Sequence, residues 1–300
     1  MPEGHSIHRL ARQFNSVFAG ADLAVSSPQG RFAAGAARLD GHRLLRAEAH
    51  GKQLFLHFDN DLVLRIHLGL YGAFDFGGDE TFRGASSIGA PRRVGERETP
   101  DDDAPARYQG PPEPKGAVRV RLVSAHGWAD LRGPTACEVV TEAERNTVLR
   151  RLGPDPLRPD SSGDEFARRL LSKGSPVALL LMNQEVLAGV GNVYRAELLF
   201  RARLWPWRTG RQLDRDEALA LWEDAAALLA DGVARGRIVT TAPGDRAVPG
   251  EPVADEDAHY VYKRTGLPCR ICGTPVAGAE IGARKLYWCP VCQDPSGTGS

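Results

Sequence analysis

Apolar side chains recur at helical spacing near the start of the chain, with Ile7, Leu10, Ala11, Phe14, Val17 and Phe18 on one face. This predicts an amphipathic helix over residues 3–18, broken by Gly20. The pattern then changes to short alternating runs. Residues 53–58 and 62–67 flank Asp59-Asn60-Asp61 and read as a hairpin, and residues 118–123 alternate Val and Leu with Arg119 and Arg121 as a half-buried strand. Residues 78–116 interrupt the β pattern: they are rich in Gly, Pro, Asp, Glu and Arg, carry Asp101-Asp102-Asp103, and lack periodicity. A mobile surface insertion within a β domain is expected there. From about Glu142 the spacing is helical. Ser175 reads as an N-cap with Pro176 at the first helical position, opening a helix to about Leu187. Gly189-Val190-Gly191-Asn192 ends that helix and caps one running to about Arg203, and a longer helix is expected from about Asp214 to Val233. Residues 241–258 read as a loop, and no internal repeat is evident.

Four of the five cysteines then form Cys269-x2-Cys272-x16-Cys289-x2-Cys292. Two such knuckles can close a tetrahedral thiolate shell around one zinc ion. Gly273-Thr274-Pro275 supplies a turn after the first knuckle, and Leu286, Tyr287 and Trp288 read as strand entering the second. A pair of disulfides or four unrelated thiols are the alternatives, but nothing else in the chain points to an oxidising compartment and paired knuckles at this spacing rarely arise by chance. Four cysteine ligands leave no open coordination position, so the metal is expected to hold structure while the chemistry lies elsewhere. The chain thus divides into an α+β arrangement: a β domain over 1–137 with the insertion 78–116, a helical domain over 138–258, and a zinc module over 259–297.

Composition narrows the class. A length of 300 residues accommodates two domains and a metal-stapled module. With 42% hydrophobic and 25% charged residues the chain has the balance of a folded globular protein. No apolar run reaches membrane-spanning length and the N-terminus lacks a signal-peptide pattern, so a cytoplasmic protein with no membrane partner is expected. Lys+Arg and Asp+Glu are equal at 38 each, so a nucleic-acid partner would need a local basic patch. Arg195, Arg201, Arg203, Arg208 and Arg211 crowd one segment and Arg284-Lys285 lies inside the cysteine module; a solvated surface is the bland explanation for each of these.

Several short motifs carry chemistry. Removal of Met1 would expose Pro2 as a secondary amine, which attacks an aldehyde carbon to give a cationic iminium, an electron sink for elimination at neighbouring carbons. Glu3 beside it is a candidate acid or base. On residues 1–4 alone, a proline and glutamate preparing a helix start is the simpler explanation. Lys52 follows Gly51 at a hairpin entry, suited to proton shuttling or to plain solvation. His67-Leu68-Gly69-Leu70-Tyr71-Gly72 places a leucine and a tyrosine on a glycine-flanked turn, where they either wedge into a base stack or belong to the core. Gly189-Val190-Gly191-Asn192 offers a helix N-terminus to an anion or a simple interhelical turn. Arg284 could be presented by the zinc hairpin to a phosphate, or be an ordinary surface arginine.

In their order along the chain these motifs resemble the formamidopyrimidine-DNA glycosylase / endonuclease VIII family of base-excision repair. The residues that carry the likeness are Met1-Pro2-Glu3-Gly4, Gly51-Lys52, His67 to Gly72, Asp130-Leu131-Arg132-Gly133, Gly189 to Arg195, and Cys269 to Cys292 with Ala283-Arg284 and Tyr287-Trp288-Cys289-Pro290 inside it. The likeness is greatest to the actinobacterial endonuclease VIII-like branch. It implies an N-terminal β-sandwich with a leading helix, a helical helix–two-turn–helix domain and a C-terminal zinc ribbon holding one structural Zn2+. It further implies a monomeric, nucleoid-associated glycosylase and abasic-site lyase. In that role Pro2 is the nucleophile, Glu3 the acid/base, Lys52 a proton-transfer aid, and Arg284 the catalytic ligand of the lesion phosphate that supports the final elimination. Asn192 would hold a phosphate, and Leu70, Tyr71 and Arg132 would fill the space of the flipped nucleotide. The implied partner is double-stranded DNA containing oxidised bases or abasic sites, with single-stranded DNA left open. Two departures bear on specificity. Gly4 and Ser6 replace the leucine and second glutamate of the Pro-Glu-Leu-Pro-Glu start typical of purine-lesion enzymes, which favours oxidised pyrimidines; Gly69 replaces the glutamine that precedes Leu-Tyr in the better-known endonuclease VIII wedge. The principal alternative is a non-catalytic binder of abasic or damaged DNA on the same scaffold.

Overall fold

The computed structural model describes residues 2–90, 110–248 and 250–295, in two compact units, Met1–Arg151 and Leu152–Ser300. The first unit opens with helix α1 (Gly4–Val17), whose apolar stripe of Ile7, Leu10, Ala11 and Phe14 is buried. Among the described residues nine strands follow: β1 (Ala24–Ser26), β2 (Leu44–His50), β3 (Gln53–Phe58), β4 (Leu62–His67), β5 (Ala73–Gly78), β6 (Ser87–Gly89), β7 (Val118–Val123), β8 (Gly127–Arg132) and β9 (Ala136–Thr141). They form two antiparallel sheets, ordered β1-β7-β8-β5-β6 and β2-β3-β4-β9. Alternation along each strand sends Leu54, Leu56, Leu64 and Ile66 from one sheet, and Phe74, Phe76, Val120, Leu122 and Leu131 from the other, into one shared core.

Helix α1 joins that core through Phe14, whose ring lies 5.0 Å from Phe74 and 5.4 Å from Phe76. Two side-chain amides fix its rotation. Asn15 both donates to and accepts from the Ala47 backbone (2.8 and 2.7 Å), and Gln13 does the same with Ala85 (2.9 and 2.9 Å). A short helix α2 (Ala33–Leu39) follows β1, and helix α3 (Glu142–Leu149) follows β9 through a capping box of Thr141 and Glu144. Val148 and Leu149 of α3 pack on Phe55, Val63 and Val140, on the face of the four-stranded sheet away from the core.

Two expectations need adjusting. The proposed boundary at 137/138 falls inside β9, and the first unit extends through α3 to Arg151 because that helix packs on its sheet. The insertion expected over 78–116 is narrower than its composition suggested. Gly78 ends β5, and residues 87–89 return as β6 with Ile88 buried against the core, while 91–109 lie outside the described residues.

In the second unit, α4 (Gly163–Leu171), α5 (Val177–Leu180), α6 (Asn192–Arg201) and α7 (Arg215–Arg235) surround a core of Phe166, Leu170, Leu181, Leu187, Tyr194, Leu198 and Leu229. The helix expected from Ser175 to Leu187 is cut short at Leu180, with Pro176 at its N-cap position. Polar side chains take over the backbone beyond it: Glu185 N donates to Asn183 Oδ1 (2.9 Å), and Gln184 bonds Val190 O (3.0 Å) and Gly189 N (3.0 Å). These local bonds compete with helical ones and hold two successive turns between α5 and α6. Helix α7 carries a capping box of Asp214 and Glu217 and ends at Gly236, whose φ of 74° is the left-handed conformation glycine accommodates.

The last element is a hairpin of β10 (Ala277–Ile281) and β11 (Arg284–Trp288). It is anchored to the helices. Leu286 lies in the helical core, and Trp288 packs edge-on against Trp207 at 4.8 Å. Glu197, fully buried in α6, accepts the backbone N–H groups of Tyr260, Val261 and Tyr262 (2.7, 2.9 and 2.8 Å) where the chain enters the zinc module.

Candidate active site and metal centre

Pro2 and Glu3 stand at the entrance to α1, both buried, with Glu3 the N-cap residue in extended conformation. The Glu3 carboxylate does not cap its own helix. Two residues on, burial and then the nearby Arg9 guanidinium push the His5 imidazole down to about 3, so the ring is neutral at any working pH. Helix α1 packs along β2 and β3, and the two-residue turn joining those strands is Gly51-Lys52. Gly51 has φ 57° and supplies the first position of a type II′ turn. Lys52 is half-buried, and its charge acts with burial in lowering the pKa of His67 at the end of β4.

His67 leads into the loop Leu68–Gly72. Gly72 N donates to Leu68 O (3.0 Å), closing a tight turn in which Leu68 is buried, Leu70 half-buried and Tyr71 81% exposed. Such exposure of an aromatic ring means that the fold presents it instead of packing it. The turn rests on the loop after β8, where Thr135 N donates to His67 O (2.9 Å). Gly69 has φ 67°, and a Cβ there would meet Thr135 Oγ1 at 1.9 Å. A glutamine before Leu70-Tyr71 would have to displace the Thr135 side chain and adopt a left-handed backbone, which disfavours it here. Arg132, at the end of β8, is paired with Asp75 of β5 and donates to Lys115 O (3.1 Å). These two partners hold its half-buried side chain at the end of β8.

In the second unit Asn192 begins α6 behind Gly191 and is buried. Its Nδ2 donates to Lys285 O (3.0 Å), and its Oδ1 accepts from Arg195, which also donates to Lys285 O (2.8 Å). The side chain expected to hold an anion is thus occupied in clamping the first residues of β11. What α6 can offer an anion is the positive end of its dipole. Arg284, next to the clamped carbonyl, is exposed at the start of β11. It follows a two-residue turn in which Gly282 (φ 58°) and Ala283 (φ 56°) are both left-handed, as a type I′ hairpin requires. Alanine is costly in that conformation, by about 1–2 kcal/mol.

The four cysteines cluster as their spacing predicts, with all Sγ atoms within 4.8 Å of one another. Tetrahedral zinc with Zn–S bonds of about 2.3 Å sets sulfurs about 3.8 Å apart. Cys269–Cys292 at 3.9 Å and Cys272–Cys289 at 3.4 Å match that and exceed any disulfide bond, about 2.05 Å. Cys292 N donates to Cys289 Sγ (3.4 Å), as suits a thiolate ligand. The residues fit one structural Zn2+, which would draw all four thiols into the thiolate form. The sequence offered no signal for the partners that seat this centre: Gln293, fully buried, accepts from Cys289 N (3.0 Å) and donates to Leu204 O (2.9 Å), and Arg270 inside the first knuckle bonds Asp257 (2.8 Å).

A β-sandwich led by a Pro-Glu helix start, a pair of helices joined by two turns, and a four-cysteine ribbon together define a class of DNA-repair scaffold, and comparison with known proteins bears this out. Residues 1–129 match the formamidopyrimidine-DNA glycosylase N-terminal domain, residues 152–243 the formamidopyrimidine-DNA glycosylase H2TH domain, and residues 266–295 the zinc finger found in FPG and IleRS. Endonuclease 8 1 of Mycobacterium tuberculosis is 44% identical over 294 residues, covering 98% of this chain and all of that protein. Formamidopyrimidine-DNA glycosylase of Thermus thermophilus is 30% identical over 259 residues, 85% of this chain and 84% of that one. The MutM (Fpg) crystal structure from Thermus thermophilus superposes with a TM-score of 0.70 at 28% identity, over 97% and 98% of the two chains. Lactococcus lactis Fpg bound to abasic-site DNA shares the fold, with a TM-score of 0.71 at 19% identity over 97% and 99%. The chain belongs to the formamidopyrimidine-DNA glycosylase / endonuclease VIII family.

Proposed function

We infer that this protein is a bifunctional DNA glycosylase and abasic-site lyase of base-excision repair, acting on oxidised pyrimidines in duplex DNA. The observation that carries the reading is the buried Pro2-Glu3 pair at the head of α1, in a chain of this family. With Met1 removed, the Pro2 nitrogen attacks C1′ of the damaged nucleotide. The N–C1′ bond forms as the glycosidic bond breaks, and the base leaves with the electron pair and a proton. Glu3 protonates the sugar ring oxygen as the ring opens to the iminium. Loss of a C2′ proton then expels the 3′ phosphate, and a second elimination expels the 5′ phosphate. Because a secondary amine gives an iminium with no N–H to lose, the cation persists as the electron sink for both eliminations. Lys52 moves protons at the hairpin turn, Arg284 and the α6 N-terminus hold backbone phosphates, and Leu70, Tyr71 and Arg132 occupy the space the extruded nucleotide leaves. Extrusion costs a few kcal/mol, least at a damaged pair. Gly4 and Ser6 favour pyrimidine lesions. The zinc serves structure. With chromosomal DNA as its substrate, the protein works in the cytoplasm on the nucleoid, as a monomer. Among the described residues no helix is long and apolar enough to cross a membrane.

The test is borohydride trapping on a duplex with one abasic site, comparing wild type with Pro2→Gly after mass spectrometry confirms loss of Met1. A covalent adduct that needs Pro2 is expected. Tight binding with no adduct would replace the lyase with a non-catalytic damage binder. Excision from thymine-glycol and 8-oxoguanine duplexes then separates pyrimidine from purine preference.

A further inference from the structure

The face of the five-stranded sheet turned away from the sandwich core carries a row of buried charges. Along β5, Phe74 and Phe76 enter the core while Asp75 points to the opposite face. Register places Asp75 directly opposite Asp130 of β8, and Asp130 directly opposite Arg121 of β7. Two carboxylates facing each other across a ladder repel, and here both are buried, at 8% and 3% exposure. Each therefore needs its own cation. Asp130 takes Arg121 in a bidentate pair (2.7 and 2.7 Å), and Arg121 in turn lies 5.8 Å from the Trp128 ring. Asp75 takes Arg132, two residues beyond Asp130 on the same face, whose side chain is only 17% exposed. Withdrawing Arg132 removes a cation from beside two facing, buried carboxylates, a costly step in a dry site.

We propose that Asp75 is a positioning residue that tethers Arg132 and so sets how sharply the enzyme discriminates the base opposite the lesion. The proposal rests on the reading above, in which Arg132 enters the space of the extruded nucleotide. Arg132 then has two states, tethered to Asp75 or engaged with the orphaned base. An engaged arginine must find acceptors on that base that replace the carboxylate it leaves. While the tether exceeds that gain, the tethered state dominates for every opposite base and the rates differ little. Weakening the tether lets the better acceptors show.

The experiment measures single-turnover excision of one oxidised pyrimidine placed opposite each of the four bases. Asp75→Asn is expected to widen the spread between best and worst opposite base by roughly threefold or more. Asp75→Glu, which keeps the carboxylate, is expected to restore the wild-type spread. Arg132→Ala is expected to collapse the spread, and adding Asp75→Asn to it to change nothing further. Borohydride trapping of an abasic site opposite a second, base-free position should be equal in wild type and Asp75→Asn, which also shows that the variant folds. An unchanged spread in Asp75→Asn, or a change that persists without Arg132, would overturn the tether. Absence of trapping in the wild type would instead sink the lyase reading itself.

Discussion

At the scale of single residues, the loop Leu68–Gly72 shows how a backbone angle selects a side chain. Gly69 is left-handed and its missing Cβ is the space Thr135 Oγ1 fills. Gly69→Gln, which would recreate the glutamine of better-known relatives, is expected to destabilise the first unit by about 1–3 kcal/mol in urea unfolding. Adding Thr135→Gly should recover the steric part of that loss and leave the backbone part. An unchanged unfolding midpoint in Gly69→Gln would show that the loop rearranges freely. The cysteines give a second residue-scale expectation. Burial pushes the Cys137 thiol up to about 12, so it reacts slowly, whereas the four knuckle thiols, three of them buried around the cluster, become reactive when loss of the metal loosens the ribbon. A thiol reagent at pH 8 should find almost none in the zinc-loaded protein, four after chelation, and the fifth only in denaturant. Two slow thiols after chelation would contradict the cluster.

The element on which most depends is α1, because it carries Pro2 and Glu3 and is held by the phenylalanine core and two bidentate amides. Its first turn also buries His5, and the pH consequence has a definite sign. In the folded state the ring stays neutral down to about 3, whereas in the unfolded chain it protonates near its ordinary 6.5. The unfolded state therefore binds more protons in between. Stability from this site is unaffected above pH 6.5 and falls by up to about 1.4 kcal/mol per pH unit below it, towards pH 3. His5→Gln should flatten the acid limb of the stability profile, measured by thermal unfolding between pH 4 and 7. An identical slope in the variant would place the acid sensitivity elsewhere. The α5–α6 segment teaches the opposite lesson about legibility. Its sequence has the apolar content and the start signal of a helix, yet Asn183 and Gln184 spend their amides on local backbone, and the helix ends after one turn. Hydrophobic spacing records which residues are buried but not which backbone groups a side chain will capture.

At the scale of the whole molecule, the metal reaches beyond its own ribbon. Leu286 belongs to the helical core, and Trp288 closes a cluster with Trp205 and Trp207. Removing zinc by chelator, or replacing Cys269 with Ser, should red-shift tryptophan emission and weaken DNA binding together, because β11 carries Arg284. Emission unchanged in protein shown to be free of zinc would mean that helical packing alone holds the hairpin.

What the sequence determined by itself was whatever rests on neighbouring residues. The leading helix and the hairpin over residues 53–67 follow from periods of 3.6 and 2, and the metal shell follows from ligand spacing, because each is a contiguous pattern that local geometry turns into structure. Order among motifs added the family. The tertiary structure alone decided the extent of the first unit, since α3 belongs to whichever sheet its apolar side finds. It alone showed Asn192 clamping Lys285, Glu197 holding residues 260–262, and Arg132 held by Asp75. Asn192 and Lys285 are separated by 93 positions. A polar side chain has no period and no composition that names its partner, so only the folded chain, which brings distant strands and helices into register, settles which charge meets which.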